Sequence, residues 1–122
     1  VVENREGAGG TIAAGLAARA APDGHSLFLS TTALALAPRL FRQVGFRPVE
    51  DFESIGIIGW APNVFVVGQG SPITSMAGLI AAARAAPGSI RYASSGPGSG
   101  SWNGAELLKS MAGLEMEEIP YS

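Results

Sequence analysis

The chain has 122 residues, of which 47% are hydrophobic and 15% are charged, and its formal net charge is −2. This composition is too apolar for a disordered chain, and the lack of a basic excess argues against a nucleic-acid-binding domain. The absence of cysteine excludes disulfides, thiolate metal sites and thiol nucleophiles. The single histidine, His25, excludes any mechanism that needs two imidazoles.

The longest uncharged stretch, which includes residues 55–83, is repeatedly interrupted by glycine and proline. A membrane-spanning helix needs about 20 mostly apolar residues in succession, so we predict none. The chain opens on Val1-Val2-Glu3-Asn4, which is typical of the end of a strand, and closes on a strand-like piece at residues 118–122. We therefore expect one partial domain over residues 1–122 of a longer protein, with any targeting peptide upstream.

Helices and strands are predicted to alternate along the chain. Helices are expected over residues 11–21, 74–86 and 102–112, with a short helix that has Pro38 in its first turn and ends near Phe41. Thr74 or Ser75 is expected to cap the helix at 74–86, and Gly113 is expected to end the helix at 102–112. Strands are expected over residues 26–30, 52–59, 64–68 and 90–94, the first of them as a buried apolar run. This alternation predicts an α/β domain with a mainly parallel sheet.

The most informative stretch is the glycine- and serine-rich loop between the last predicted strand and the last predicted helix. In open α/β sheets, ligands lie beyond the carboxyl ends of the strands, and a helix N-terminus there offers N–H groups and a partial positive charge to an anion. The alternative is a capping loop in which Ser101 only begins the helix. The candidate ligand-binding residues of this uncharged loop are Ser94, Gly96, Gly98, Ser99, Gly100, Ser101 and Trp102.

A second pair of hydroxyls, Thr31 and Thr32, directly follows the first predicted strand. Because parallel strands bring their carboxyl ends to one edge, we predict that both threonines also contact the ligand. The alternative is that they cap the next segment. His25 and the acids around Phe52 are interpreted as surface residues, so no catalytic residue and no metal site are predicted.

The glycine-rich turns fit no nucleotide-binding pattern. The chain lacks G-x-x-x-x-G-K-[ST], and G-x-G-x-x-G fails because Ser101 and Ile12 stand where a third glycine would be needed. A G-x-S-x-G nucleophile elbow is also absent. We therefore predict neither catalytic activity nor a cofactor. A nucleotide-dependent enzyme module on a Rossmann-like sheet and a non-binding scaffold fragment stay open as alternatives.

Blocks along the whole chain resemble the Bug/TctC family, the extracytoplasmic solute receptors of tripartite tricarboxylate transporters. Residues 1–10 are similar to the family's V-V-E-N-R-P-G-A-G-G block, with Glu6 in place of the proline. The loop at residues 96–99 is similar to its G-x-G-[ST] ligand loop, which the family often continues with histidine-leucine rather than Trp102. Residues 31–33 resemble its hydroxyl-rich loop. Further similar blocks are residues 19–24, 48–52, 62–64, 92–94, 108–113 and 119–121.

The resemblance implies a periplasmic-binding-protein-like lobe, with a mainly parallel sheet flanked by helices. The chain would be most of lobe I, lacking its first strand and the second lobe and ending near the crossover between lobes. It implies a small organic carboxylate as ligand (a di- or tricarboxylate or an acidic amino acid), membrane permease subunits as partners and a periplasmic location. No nucleic-acid partner is expected. An isolated lobe with an unpaired sheet position is expected to self-associate.

Overall fold

The computed structural model describes residues 1–121, so the end of the predicted strand-like piece, Ser122, lies outside the described residues. The helices and strands are a 3-10 turn at Ala8–Gly10, α1 (Thr11–Ala17), α2 (Ala33–Leu40), α3 (Met76–Ala85), β1 (Arg91–Ser94), α4 (Gly100–Ala112) and β2 (Glu117–Pro120). Within this part of the chain, no helix has the length and apolarity that crossing a membrane requires.

The chain divides into two compact units. The first combines Val1–Gly59 with Pro97–Gly100, and the second combines Trp60–Gly96 with Ser101–Ser122. The chain therefore passes from the second unit to the first and back again within the glycine- and serine-rich loop. The prediction of one partial domain over residues 1–122 stays a prediction.

The core of the first unit consists of alanines from two helices and a group of phenylalanines. Its buried centre consists of Ala14, Ala37 and Phe46. The two alanines, from α1 and α2, are 2% and 1% exposed, because a methyl group lets a helix pack closely against its neighbours. The ring of Phe52 lies 5.8 Å from that of Phe28 and 5.9 Å, edge-on, from that of Phe46.

Three predicted strands are wrong, since residues 26–30, 52–59 and 64–68 form no strand. At residues 26–30 only Phe28 packs on the core, while Leu27 and Leu29, which alternate with it, are 76% and 74% exposed. A strand needs a neighbour that bonds its backbone N–H and C=O groups. Among residues 1–121, the only strands that pair are β1 and β2.

The predicted helices near the start of the chain differ in their bounds. α1 ends at Ala17, four residues before the predicted end at residue 21. Pro38 lies inside α2, and not in the first turn as predicted, because the helix already begins at Ala33. A proline at this position removes one backbone hydrogen bond, and α2 ends two residues later at Leu40.

The two later helices confirm the predicted capping residues. Ser75 precedes α3, and its Oγ accepts a hydrogen bond of 3.1 Å from the N–H of Gly78. Gly113 follows α4 with φ of 62°, a left-handed conformation in which only glycine is unstrained. The side chain of Arg84 in α3 donates to the carbonyl of Ala112 at 2.9 Å, so it satisfies one of the last acceptors of α4.

The second unit is organised by the parallel pairing of β1 and β2. Tyr92 lies opposite Glu118 and Ser94 lies opposite Pro120 in this pairing. Because side chains alternate along a strand, these four residues share one face of the two-stranded sheet. Below them, Ala83, Leu114 and Met116 form a buried apolar cluster, against which half-buried residues pack: Ile80, Ile90, Tyr92, Leu108 and Ala112.

A polar triad ties α4 to β1. The hydroxyl of Tyr92 donates to the carboxylate of Glu106 at 2.7 Å, and the ammonium group of Lys109 donates to the same oxygen at 2.6 Å. Lys109 also lies 5.8 Å from the centre of the Tyr92 ring. The hydrogen bond from Lys109 lowers the pKa of Glu106, while burial and the nearby Glu106 carboxylate raise the pKa of Tyr92.

Replacing Leu114 by alanine should lower the free energy of unfolding by about 2–5 kcal/mol, because its side chain is 7% exposed within the apolar cluster. The matched control is Leu107→Ala on α4, where the side chain is 61% exposed and the expected change is within about 0.5 kcal/mol. Urea denaturation of both variants measures the difference. Equal losses would contradict the assignment of this core.

Because the pKa of Tyr92 is raised, the free energy of unfolding should decrease at alkaline pH. The folded state keeps this phenol neutral, so the contribution is fully present below about pH 10, the usual tyrosine pKa. It is lost as the pH rises further, because the unfolded chain then releases the proton more readily. We expect the urea midpoint of Tyr92→Phe to fall less between pH 8 and pH 10.5 than that of the unmodified chain.

The control for this experiment is Tyr121→Phe, since the side chain of Tyr121 is 65% exposed. This variant should retain the full alkaline loss of the unmodified chain. If the two variants gave the same dependence on pH, Tyr92 would not be its source.

Candidate functional site

The loop of residues 94–102, hereafter the 94–102 loop, leaves the carboxyl end of β1 and enters α4, as predicted. α4 begins at Gly100, two residues before the predicted start, so Gly100 and Ser101 belong to its first turn. The backbone turns at Gly96 and Gly98, whose φ angles of 84° and 87° are strained for any residue with a side chain. No acidic residue lies in the first turn of α4.

Part of the 94–102 loop, Pro97–Gly100, belongs to the first unit. Gly98 is buried there, and a Cβ added to it would lie 3.5 Å from Leu40 and 3.9 Å from Phe41. A Cβ on Gly9 would come within 3.1 Å of the carbonyl oxygen of Pro97. The glycine-rich turn near the start of the chain therefore packs directly against the loop, a juxtaposition that sequence reasoning did not predict.

The rest of the loop belongs to the second unit and is held by serine hydroxyls. Ser94 is 5% exposed, and its Oγ accepts a hydrogen bond of 2.9 Å from the N–H of Gly96. The Oγ of Ser101 accepts from the N–H of Ser95 at 3.1 Å. These two bonds fix the backbone on either side of the glycine turn. They give both serines a role in shaping the loop.

A carboxylate that sequence reasoning missed also reaches the loop. Glu118 in β2 accepts a hydrogen bond of 2.5 Å from the hydroxyl of Ser94 and one of 3.1 Å from the indole N–H of Trp102. The loop contains no charged residue of its own, so this charge is contributed by the neighbouring strand. The contact depends on the pairing of β2 with β1, so no local pattern in residues 117–120 reveals it.

Thr31 and Thr32 lie at the start of α2 in the first unit, and both are exposed. The Oγ1 of Thr31 accepts a hydrogen bond of 3.3 Å from the N–H of Ala33, as expected for the capping alternative. Thr32 precedes the helix without capping it by its side chain. Their assignment as ligand-binding residues stays a prediction, as it does for the candidates in the 94–102 loop.

Asp51 and His25, which are interpreted from the sequence as surface residues, make local contacts. Asp51 accepts a hydrogen bond of 2.8 Å from the guanidinium of Arg47, which lowers the pKa of Asp51. The backbone N–H of His25 donates to the carboxylate of Asp23 at 3.0 Å. In the part of the chain that the structure describes, no group of three or more potential metal ligands comes together.

Two surface depressions lie in the second unit. One, of about 180 Å³, is lined mainly by apolar residues, among them Phe65, Val67 and Leu79. The other, of about 430 Å³, is lined by residues of β1 and β2 and by Tyr121. None of the candidate ligand-binding residues lines either depression. The candidate site is therefore assigned from the backbone and hydroxyl groups of the loop.

Comparison with known proteins places these features in a family. The sequence profile described as "Tripartite tricarboxylate transporter family receptor" matches residues 1–122. A UPF0065 protein from the tcbD-tcbE intergenic region of Pseudomonas sp. is 33% identical over 121 residues, which are 99% of this chain and 36% of that protein. Protein BugT of Bordetella pertussis is 33% identical over 99% of this chain and 38% of its own length.

A solved structure, described as R. palustris Rpa4515 with adipate, has a TM-score of 0.84 and 36% sequence identity to this chain. The match covers 99% of this chain and 41% of that one. It confirms the predicted α/β fold class, that of a periplasmic-binding-protein-like lobe. The chain spans little more than a third of the length of the curated relatives described above. The profile match over the whole chain, together with these relatives, shows that the chain belongs to the tripartite tricarboxylate transporter receptor family, also called the Bug or TctC family.

Proposed function

We propose that the chain forms part of a periplasmic solute receptor that binds a small organic carboxylate and delivers it to membrane permease subunits. Membership of a family of transporter receptors supports this role. The observation that carries the proposal is the similarity, over 99% of the chain, to a structure solved with adipate, a linear dicarboxylate. The proposed role is binding and release without chemical turnover, consistent with the receptor family.

We place one carboxylate of the ligand at the 94–102 loop. A chain with a net charge of −2 has to provide positive potential locally in order to hold an organic acid. The loop supplies this through the backbone N–H groups that begin α4 and through neutral hydroxyls. Gly96 and Gly98 allow the ligand to approach the backbone because they carry no side chain.

Hydrogen bonds should contribute more to this affinity than the helix dipole. A hydrogen bond to a charged group contributes about 1.5–3 kcal/mol, whereas a helix terminus contributes about 0.3–1 kcal/mol to an exposed charge. Among the side chains of the loop, Ser99 is the half-exposed hydroxyl that we assign to the ligand. The hydroxyl hydrogen of Ser94 is donated to Glu118.

Replacing Ser99 by alanine in the full-length receptor should weaken the binding of adipate by about tenfold, on the scale of one hydrogen bond to a charged group. Isothermal titration calorimetry with adipate, succinate, citrate and glutamate measures the effect. The matched control is Ser110→Ala on the exposed side of α4. Arg91→Ala should also have little effect, because the Arg91 side chain is 73% exposed and pairs with Glu117 at 3.2 Å.

Two outcomes of this experiment would contradict different parts of the proposal. If the unmodified receptor bound none of the four organic acids, the proposed function would be wrong. If it bound adipate but Arg91→Ala abolished binding while Ser99→Ala had no effect, the function would stand and the placement of the carboxylate would be wrong.

A further inference from the structure

Glu118 differs from the other two acidic side chains on the β1–β2 sheet and α4 that make close polar contacts. Glu106 pairs with Lys109 at 2.6 Å, and Glu117 pairs with Arg91 at 3.2 Å. Glu118 is half-buried, and its partners are neutral donors, the hydroxyl of Ser94 and the indole of Trp102. Within residues 1–121, no ion pair includes Glu118. Its negative charge is therefore not compensated by a neighbouring cation.

The carboxylate of Glu118 also determines which groups of the loop can bind an anion. A serine hydroxyl has one hydrogen to donate, and an indole nitrogen has one and accepts none. Ser94 donates its hydrogen to Glu118 and accepts from Gly96, and Trp102 donates its indole hydrogen to Glu118. Two donors that would otherwise favour an anionic ligand are thus directed to an internal carboxylate.

We propose that Glu118 is a specificity-determining residue that limits the negative charge a ligand can bring to the 94–102 loop. This inference rests on the proposed function. One carboxylate is held by the N–H groups that begin α4, while a second carboxylate nearby is repelled by Glu118, because two like charges in a partly buried site are weakly screened. The ligand class that results is the linear organic acid with well-separated ends. Branched tricarboxylates such as citrate are disfavoured.

The substitution Glu118→Gln in the full-length receptor reverses both effects of the carboxylate. It removes the charge, and it pairs the amide oxygen with the Trp102 indole while the amide NH₂ donates to Ser94. The hydroxyl hydrogen of Ser94 then becomes available to the ligand. We expect the affinity for citrate to rise by about tenfold and the affinity for adipate to rise by about threefold. The difference arises because citrate carries the additional charge.

The matched control is Glu117→Gln, which makes the same change in net charge one residue earlier in β2. Glu117 alternates with Glu118 and so lies on the other face of the sheet, where its side chain is 58% exposed. This variant should change the affinity for either acid by less than about twofold. Calorimetric titration of each receptor with adipate and with citrate gives the ratio of the two affinities. A general loss of folding would affect both affinities together and leave this ratio unchanged.

The inference is overturned if Glu118→Gln leaves the ratio of citrate to adipate affinity unchanged, or if Glu117→Gln raises it equally. A measurement on the unmodified receptor tests it without any substitution, because citrate should bind more weakly than adipate. Tighter binding of citrate would refute the discrimination while leaving the proposed function intact. Binding of neither acid would overturn both.

Discussion

The parallel pairing of β1 with β2 is the constraint on which the arrangement of the second unit depends. It sets Tyr92, Ser94 and Glu118 on one face of the sheet at fixed spacing. α4 contacts that face at two places. Trp102 donates a hydrogen bond to Glu118, and Glu106 accepts one from Tyr92. These two α4 residues are four positions apart and so lie on the same side of the helix. The pairing therefore fixes the start of α4 and with it the direction of its N–H groups.

Placing a carboxylate beside a loop proposed to bind carboxylates combines attraction with selectivity. Backbone N–H groups attract any anion, and they distinguish poorly between organic acids of similar size. An opposing fixed charge provides the distinction, because it lowers the affinity for the more highly charged competitor more than for the intended ligand. Glu118 also accepts hydrogen bonds from Ser94 and Trp102, so the group that we propose restricts the ligand also helps to shape the loop.

Local patterns in the sequence predicted those parts of the structure whose causes are local. Ser75 begins α3 and Gly113 ends α4 as expected, because capping and left-handed turns depend on one or two residues. The strand at 26–30 failed because an apolar run specifies a strand only when another strand pairs with it. The contact of Gly9 with Pro97 and the approach of Glu118 to Ser94 join distant parts of the chain. Such contacts leave no periodic signal in one sequence.

The exposed apolar residues at 55–67 have a consequence for the solubility of the chain. Residues 55–67 carry isoleucines and valines that are between 54% and 86% exposed, among them Ile58, Val66 and Val67. Six- or seven-residue runs of such side chains readily stack into cross-β aggregates. Here Gly56, Gly59, Pro62 and Gly68 interrupt the apolar residues, so the longest unbroken run is Val64-Phe65-Val66-Val67. These breaks oppose amyloid-like association, and replacing Gly59 or Pro62 by a β-branched residue would remove that protection.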